Sequence, residues 1–372
     1  MTADKTKNAK KTLLFADAAV DALEKSKTLP AKFERMLKRF KLSDRVKDRS
    51  VGIKMHIGAD IGFTTIHPVF VRKLVDAVKE AGAASVKIID GADPGRGVAR
   101  GYTQEVLGCP VVNAFGTTER YLYPEKIGFM NLDEVKFGGE ARDVDFFIDF
   151  AHVKGHGACG FGGALKNIAM GLVQTESRRK LHQLEGGLVI DRDKCVYCLK
   201  CFNNCPHEAI WKDDEKKEIT FFFHNCTYCQ HCLMICPEKA ISMEERTFEN
   251  FSRGMAMVTA AFLRKFEPED LLFINVLTNI TIYCDCWEFS TPSLVPDIGI
   301  VAGGDIAAVD TASLDMIRTE NLLPNGLPKG RELLDIEGHL FEKIHAKNPY
   351  TMVCYLTEYY DCGTDYEITE VR

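Results

Sequence analysis

The chain has 372 residues, 46% of them hydrophobic and 27% charged, and a formal net charge of −6. That length buries a substantial core without staples, and that composition excludes a disordered chain. The acidic balance, with no basic run carrying interleaved aromatics, excludes a nucleic-acid binder.

In chain order, a polar N-terminus leads into Leu13–Lys25, where Asp17, Asp21 and Glu24 interrupt the apolar residues. That spacing reads as an amphipathic helix, not a signal h-region. Residues 1–45 are accordingly expected as an N-terminal helical extension. Ser50 to Ile57 reads as a strand, Val69 to Ala81 as a helix with apolar residues at helical spacing, and Ser85 to Ile89 as a second strand. Further strands are expected at Pro110–Asn113 and Val144–Phe150. After the cysteine-rich segment, the strand pattern resumes at Leu271–Ile282 and Asp297–Val301, with helices over 306–319 and 333–346. Alternating β and α units predict an α/β domain around a mainly parallel sheet, made of residues 46–185 and 248–372. The most apolar stretch, Leu271–Tyr283, is too short and polar to span a bilayer, so a soluble cytoplasmic protein is expected.

Residues 186–247 interrupt that domain with two matching cysteine strings. Cys195, Cys198, Cys201 and Cys205-Pro206 form the first; Cys226, Cys229, Cys232 and Cys236-Pro237 form the second. Each is the C-x2-C-x2-C-x3-C-P run of bacterial-type ferredoxins, in which the cysteine before proline ligates the cluster of the other run. One 4Fe–4S cluster is therefore expected on Cys195, Cys198, Cys201 and Cys236, and a second on Cys226, Cys229, Cys232 and Cys205. Zinc sites, which use two C-x2-C pairs and a longer spacer, match this doubled string poorly. Disulfides between cysteines so close in sequence are less expected still. The segment between the strings, Ala209–Trp211, a polar turn and Ile219–Phe223, reads as a short hairpin. The result is an inserted two-cluster ferredoxin module (α+β). Oxygen-labile clusters and fourteen cysteines point to an anaerobe.

The stretch from His152 to Gly171 carries Lys154, His156, Cys159, Gly160, Gly162, Gly163, Lys166 and Asn167 between an expected strand and an expected helix. A strand, a glycine loop and a helix N-terminus together suit an anion; the bland reading is a packing turn, where glycine only permits unusual dihedrals. Gly155, Gly157 and Gly160 satisfy G-x-G-x-x-G, but no following strand ends in an acid, and the phosphate-loop pattern fails around Lys166. Lys54 and His56 close the first strand, and Asp90 to Arg96 follows the second. Ligands of open α/β sheets sit at such strand ends, so one crevice with His152 and Lys166 is expected. Cys284 and Cys286 share one face of an extended chain and reach one metal or substrate only with partners from elsewhere; two buried reduced thiols is the competing reading. Asp305 is expected to cap a helix, and Asp310 to face the crevice.

Lys54-Met-His-Ile-Gly, Thr64-Thr65, His152-Val-Lys-Gly-His156, Gly160 to Asn167, the doubled cysteine strings, Cys284-Asp-Cys286 and Asp297-Ile-Gly together resemble the iron–sulfur branch of the domain of unknown function 362 family. The resemblance covers about residues 50–320 in the same order; it implies the fold and the clusters and supplies no reaction. A more limited likeness, through His156 and Gly160 to Lys166, is to the nickel-pincer lactate racemase family, with Met170-Gly171 where the racemases have Pro-Gly.

The leading expectation is a ferredoxin-linked oxidoreductase that carries electrons through two 4Fe–4S clusters to a crevice site. His156, Lys166, His56 and Lys54 are the candidate catalytic residues. His152, Lys154, Gly160, Gly162, Gly163 and Asn167 are the candidate cofactor-binding ones, and Cys284 and Cys286 an additional metal or thiol site. An anionic small molecule and a ferredoxin-like or other redox protein are the expected partners. Alternatives are a non-catalytic electron carrier or maturation partner, and a racemase-like enzyme with a metal cofactor.

Overall fold

The computed structural model describes residues 10–184, 188–206, 208–221, 230–243, 247–286, 290–330 and 332–372. Eight strands build a central sheet: β1 (Lys11–Asp17), β2 (Ser50–Met55), β3 (Ser85–Asp90), β4 (Val111–Asn113), β5 (Phe146–His152), β6 (Leu271–Leu277), β7 (Gly299–Gly303) and β8 (Tyr366–Glu370). Their spatial order is β8-β1-β7-β6-β5-β2-β3-β4. Only β7 runs against its neighbours β1 and β6; every other pairing in this sheet is parallel. The expected mainly parallel α/β sheet is therefore present. All seven residues of both β5 and β6 are buried, as the central strands of a covered parallel sheet must be.

Helices of eight or more residues cover both faces: α1 (Leu29–Arg39), α2 (Pro68–Glu80), α3 (Ala164–Gly171), α4 (Thr175–Gln183), α5 (Thr247–Leu263), α6 (Ile306–Asp315) and α7 (Thr351–Tyr359). Side-chain alternation sorts the core. Phe146, Ile148, Phe150, Leu272 and Ile274 pack with α1 and α2, whereas Phe147, Ala151, Leu271 and Phe273 pack with α3, α5, α6 and α7. Phe33 of α1 stacks on Phe150 with centroids 5.9 Å apart; burying one such ring contributes about 1.5–3 kcal/mol. Pro68 opens α2 at a position where its missing N–H is no loss, and His67 Nδ1 accepts the Val69 N–H at 3.2 Å. Asp305 caps α6 as expected, accepting from Ala308 N at 3.1 Å.

The N-terminus corrects the sequence reading. Leu13–Lys25 is not an amphipathic helix: Lys11–Asp17 is β1, paired antiparallel with β7 and parallel with β8. Leu13 and Ala16 are buried on opposite faces of the sheet, so alternation between two cores reads locally as one apolar run. Residues 10–45 are accordingly no separate helical extension, since β1 and α1 belong to the α/β core, and residues 1–9 lie outside the described residues. Two further differences are small. The strand from Leu271 ends at Leu277, and the helix expected over 333–346 is confined to Leu340–His345.

The chain leaves the sheet after β5 and returns in its neighbour β6, and the cysteine-rich segment falls within that connection. Residues 188–243 hold a small apolar cluster of their own, which includes Leu188, Cys201, Ile210, Ile219, Cys232 and Ile241. Leu188–Ile190 pairs with Ile241–Met243, and Ile210–Asp213 with Glu218–Phe221, both antiparallel. The second pairing repeats the first on a fixed offset, that of Cys232 from Cys201: Leu188↔Met243 corresponds to Ile219↔Lys212, and Ile190↔Ile241 to Phe221↔Ile210. Among the described residues no helix is long and apolar enough to cross a membrane.

Candidate functional site

A polar row lies under the site. Lys54 on β2, Asp149 on β5 and Asn275 on β6 point to the face covered by α3 and α6, and all three are fully buried. Lys54 Nζ donates to Asn167 Oδ1 at 2.6 Å and pairs with Asp90 Oδ1 at 3.0 Å. Asp90 also accepts the N–H groups of Ile57 and Gly91, each at 2.8 Å. Burial alone would raise the Asp90 carboxyl; Lys54 and then His56 outweigh it and hold it well below the carboxylate range. Asp149, with Asn167 Nδ2 at 2.9 Å, is pushed the other way by burial, well above that range.

Asp310 does not face the crevice. Its carboxylate accepts Ala164 N at 2.8 Å and Leu165 N at 3.0 Å, capping α3 from a helix 146 residues further on, and takes Asn275 Nδ2 at 2.7 Å. Burial pushes its pKa up to about 6, against those three hydrogen bonds. This changes the meaning of the glycine loop. The helix N-terminus expected to receive an anion already holds an internal carboxylate. Gly163 is required because a Cβ there would lie 2.5 Å from Asp310 Oδ1. The loop itself is a tiny hairpin, Lys154–His156 against Gly160–Gly162, and Gly160 (φ +75°) leads its turn, residues 157–159, into the second strand.

Above this layer opens a cavity of about 650 Å³. It brings together most of the residues expected from sequence: His56, His152, Lys154, His156, Gly162, Gly163, Lys166, Asn167, Cys284 and Cys286 all line it. Lys54 lies beneath the wall and Gly160 outside it, so neither touches the cavity. Arg96, Arg178, Arg179 and His182 add to the lining, where Asp90 is the one acid among the described residues. The last three were missed because α4 (Thr-Glu-Ser-Arg-Arg-Lys-Leu-His-Gln) reads as a solvated helix. The available signal was spacing, since Arg178 and His182 share a helix face at i, i+4.

Asp285, the residue between the two cysteines, was also missed. Its Oδ2 contacts Lys154 Nζ and lies 2.9 Å from His152 Nδ1, and all three side chains are buried. His152 Nε2 is 2.7 Å from the Thr278 carbonyl, which assigns the proton to Nε2 and leaves Nδ1 to accept from Lys154 at 2.7 Å. Burial, then Lys154, keeps the His152 pKa well below its ordinary value; burial, then Lys166, does the same to Lys154 and to His156. His56 is lowered to about 4 by burial, against Asp90 at 3.2 Å.

Cys284 and Cys286 are joined as a disulfide, in place of the two reduced thiols of the bland reading. The partner that two sulfurs need for a metal is present: a ring nitrogen of His156 and both sulfurs lie within 4.8 Å of one another. Once reduced, these three groups are a candidate metal site of the two-thiolate, one-imidazole kind.

In the cysteine-rich segment, Cys195, Cys198, Cys201 and Cys236 line one small cavity, and all four are free thiols. Burial raises the Cys201 pKa, and Cys198, Cys236 and Cys195 add to it by repulsion. Four free thiols lining one small cavity are a candidate donor set for metal. The described part of the second string shares local backbone geometry with the first. Leu199 and Gln230 both take left-handed backbone (φ 59° and 63°), and Cys205 and Cys236 accept the N–H of Ala209 and Ala240 at 3.2 and 3.3 Å. Cys226 and Cys229 lie outside the described residues. The segment also reaches the large cavity: Pro206 and His231, next to Cys205 and Cys232, line it, and the Tyr283 hydroxyl meets Met234 Sδ at 2.7 Å.

No curated protein matches the chain. Among solved structures it is similar to a Thermotoga maritima protein from the Northeast Structural Genomics Consortium, with 14% identity and a TM-score of 0.37, covering 68% of this chain and 52% of that one. It is also similar to the lactate racemase apoprotein of Thermoanaerobacterium thermosaccharolyticum, with 13% identity and a TM-score of 0.32, covering 71% and 50%. The chain thus spans about half the length of these structures, and likenesses at this level say nothing of the site. The sequence profile described as domain of unknown function (DUF362) matches residues 51–315, and the chain belongs to that family.

Proposed function

We propose that the protein is an iron–sulfur redox protein of the ferredoxin-linked oxidoreductase kind, acting on an anionic ligand in the large cavity. In this reading residues 186–247 are an inserted ferredoxin-like module. Cys195, Cys198, Cys201 and Cys236 hold one 4Fe–4S cluster, and Cys205, Cys226, Cys229 and Cys232 hold the other. Such clusters supply single electrons at potentials set by the hydrogen bonds and burial around their sulfurs. The Ala209 and Ala240 N–H groups, directed at Cys205 and Cys236, are suited to that tuning. Zinc on the same thiolates is the rival; the offset repeat, with each fourth cysteine followed by proline, favours the clusters.

The observation that carries the proposal is that Pro206 and His231, neighbours of two of these cysteines, line the same cavity as Lys166, Arg178 and the Cys284–Cys286 pair. A carrier that only docks has no use for a cavity of about 650 Å³ walled by cations. There Lys166, Arg96, Arg178 and Arg179 attract and orient an anion, and the buried Lys54–Asp90 and Lys154–Asp285 pairs keep the floor rigid. A ferredoxin-like or other one-electron protein is the donor.

The test joins electron paramagnetic resonance to calorimetry on anaerobic protein. Dithionite reduction should give two magnetically interacting iron–sulfur centres. Citrate, used as an anionic probe, should bind the wild type and bind Lys166→Ala and Arg178→Ala at least about tenfold more weakly, the loss of one close charge contact. No iron–sulfur signal defeats the electron-transfer half; equal citrate binding by the variants defeats the cavity half.

A further inference from the structure

We infer that Cys284 and Cys286 are a redox-active pair that opens and closes within the cavity, and that the oxidant it serves is an anionic low-molecular-weight disulfide. The inference rests on the proposed function only for the source of its electrons. Its own ground is the way this pair is mounted. Asp285, between the sulfurs, is pinned through its carboxylate to Lys154, which also donates to His152 Nδ1 at 2.7 Å, and through its carbonyl to Ala59 N at 3.1 Å. The preceding turn is held by Thr281 Oγ1 donating to the Tyr283 carbonyl at 2.7 Å. Gly58 offers no side chain where one would press on Asp285 Cβ, 3.3 Å from its own Cβ position. The backbone is thus fixed by contacts that do not involve sulfur, so the bond can break and re-form without moving the chain.

Exposure divides the labour. Cys284 is 3% exposed, whereas Cys286 faces solvent. Thiol–disulfide exchange begins with attack by an accessible thiolate and ends with attack by its neighbour. Cys286 is therefore the attacking residue and Cys284 the resolving one. Reduction takes two electrons, delivered singly by an iron–sulfur-type donor, and two protons from water, and converts the Cys284–Cys286 disulfide to two thiols. The Cys286 thiolate then attacks one sulfur of a substrate disulfide, forms a mixed disulfide and releases the first substrate thiolate. Cys284 attacks the Cys286 sulfur, releases the second substrate thiolate and restores the protein disulfide; the two protons leave with the two product thiols. The cations Arg96, Lys166, Arg178 and Arg179 around the pair select a substrate carrying carboxylate or phosphate groups.

Intact anaerobic protein tests this. The Cys284–Cys286 peptide is alkylated and weighed across a dithiothreitol redox titration, and electron uptake from reduced methyl viologen is measured coulometrically. The peptide should pass from disulfide to dithiol as a two-electron couple, and Cys284→Ala/Cys286→Ala should take up two electrons fewer than wild type at unchanged iron content. Cys284→Ala alone, mixed with oxidised glutathione, should release one glutathione and hold the other on Cys286 as a mixed disulfide. Wild type should be oxidised at least about tenfold faster by oxidised glutathione than by cationic cystamine, because like charge in a cationic cavity is costly. Free thiols at every potential, equal electron uptake by wild type and double variant, or equal rates with the two disulfides would overturn the inference. If dithiothreitol opens the pair and viologen does not, the inference about the pair stands and the proposed electron source is what fails.

Discussion

Replacing Lys54 by Met removes a buried ammonium while keeping the length of its stem, and leaves Asp90 as a buried carboxylate without its strongest partner. Side-chain exposure is 0% for Lys54 and 2% for Asp90, so water does not compensate. Breaking one side of such a pair costs about 3–5 kcal/mol. The Ile57 and Gly91 N–H groups, both at 2.8 Å, still stabilise the charge, which places the loss near the lower end, about 3 kcal/mol. That is roughly a hundredfold in the folding equilibrium. The pH dependence carries a sign. In wild type the Asp90 carboxyl lies below its ordinary value, so its stabilisation is full above about pH 4 and is lost progressively as the pH falls from there to the depressed folded value. Without Lys54, burial dominates and raises that carboxyl; the penalty is then full at neutral pH and shrinks as acid protonates Asp90. Anaerobic urea titrations followed by circular dichroism at pH 7 and pH 5 measure both. Lys54→Met/Asp90→Asn should recover about half of the loss, since the unpaired charge is gone. A loss under about 1 kcal/mol at pH 7, or one that does not shrink in acid, refutes the buried pair.

Acid should also reach three of the cavity histidines. His56, His152 and His156 all have folded values below the ordinary 6.5, so their stabilisation is present above about pH 6.5 and is lost as pH falls below it. Urea midpoints should drop between pH 6.5 and 5, by up to about 1.4 kcal/mol per pH unit for each histidine, with less from His56, whose side chain is 28% exposed. Asp310, raised to about 6, opposes this below pH 6, and Asp310→Asn should steepen the fall; a flat profile in both proteins contradicts the assignments. Gly155→Ala would press a methyl onto the Ile282 carbonyl and to 2.8 Å from His345 Nε2, which should lower the thermal midpoint by several degrees, about 1–3 kcal/mol. Gly157→Ala meets only the Tyr283 ring at 3.6 Å and should be near neutral; equal midpoints for the two variants would refute the packing around the hairpin.

What could be read in the sequence was what spacing fixes. The 3.6- and 2-residue periods gave α2, β2, β3 and the fully buried, mostly apolar β5 and β6, because their burial follows from pattern alone. Lys54-Met-His56 and Asp90 were placed correctly at strand ends, and the cysteine strings foretold the offset repeat now seen in the two antiparallel pairings. What could not be read depends on partners far along the chain. β1 is a strand because β7 and β8 flank it, nearly three hundred residues away or more. Asp310 was expected at the crevice but caps α3, since nothing in its own helix reveals the distant N–H groups that claim it. Asp285 looked like a spacer between thiols, and its pairing with Lys154 spans 131 residues. The cationic cavity wall from α4 was hidden for a plainer reason: a helix rich in Arg, Lys and His is usually a solvated one.

The central claim is that the two cysteine strings carry iron and sulfide rather than zinc. Iron and acid-labile sulfide per chain, measured by chemical analysis with Mössbauer spectroscopy on anaerobically prepared protein, test it most directly. About eight of each is expected, falling to about four in Cys201→Ser, which removes one thiolate from one set of four. About two zinc ions per chain, or iron that stays far below eight after reconstitution with iron and sulfide, would contradict it.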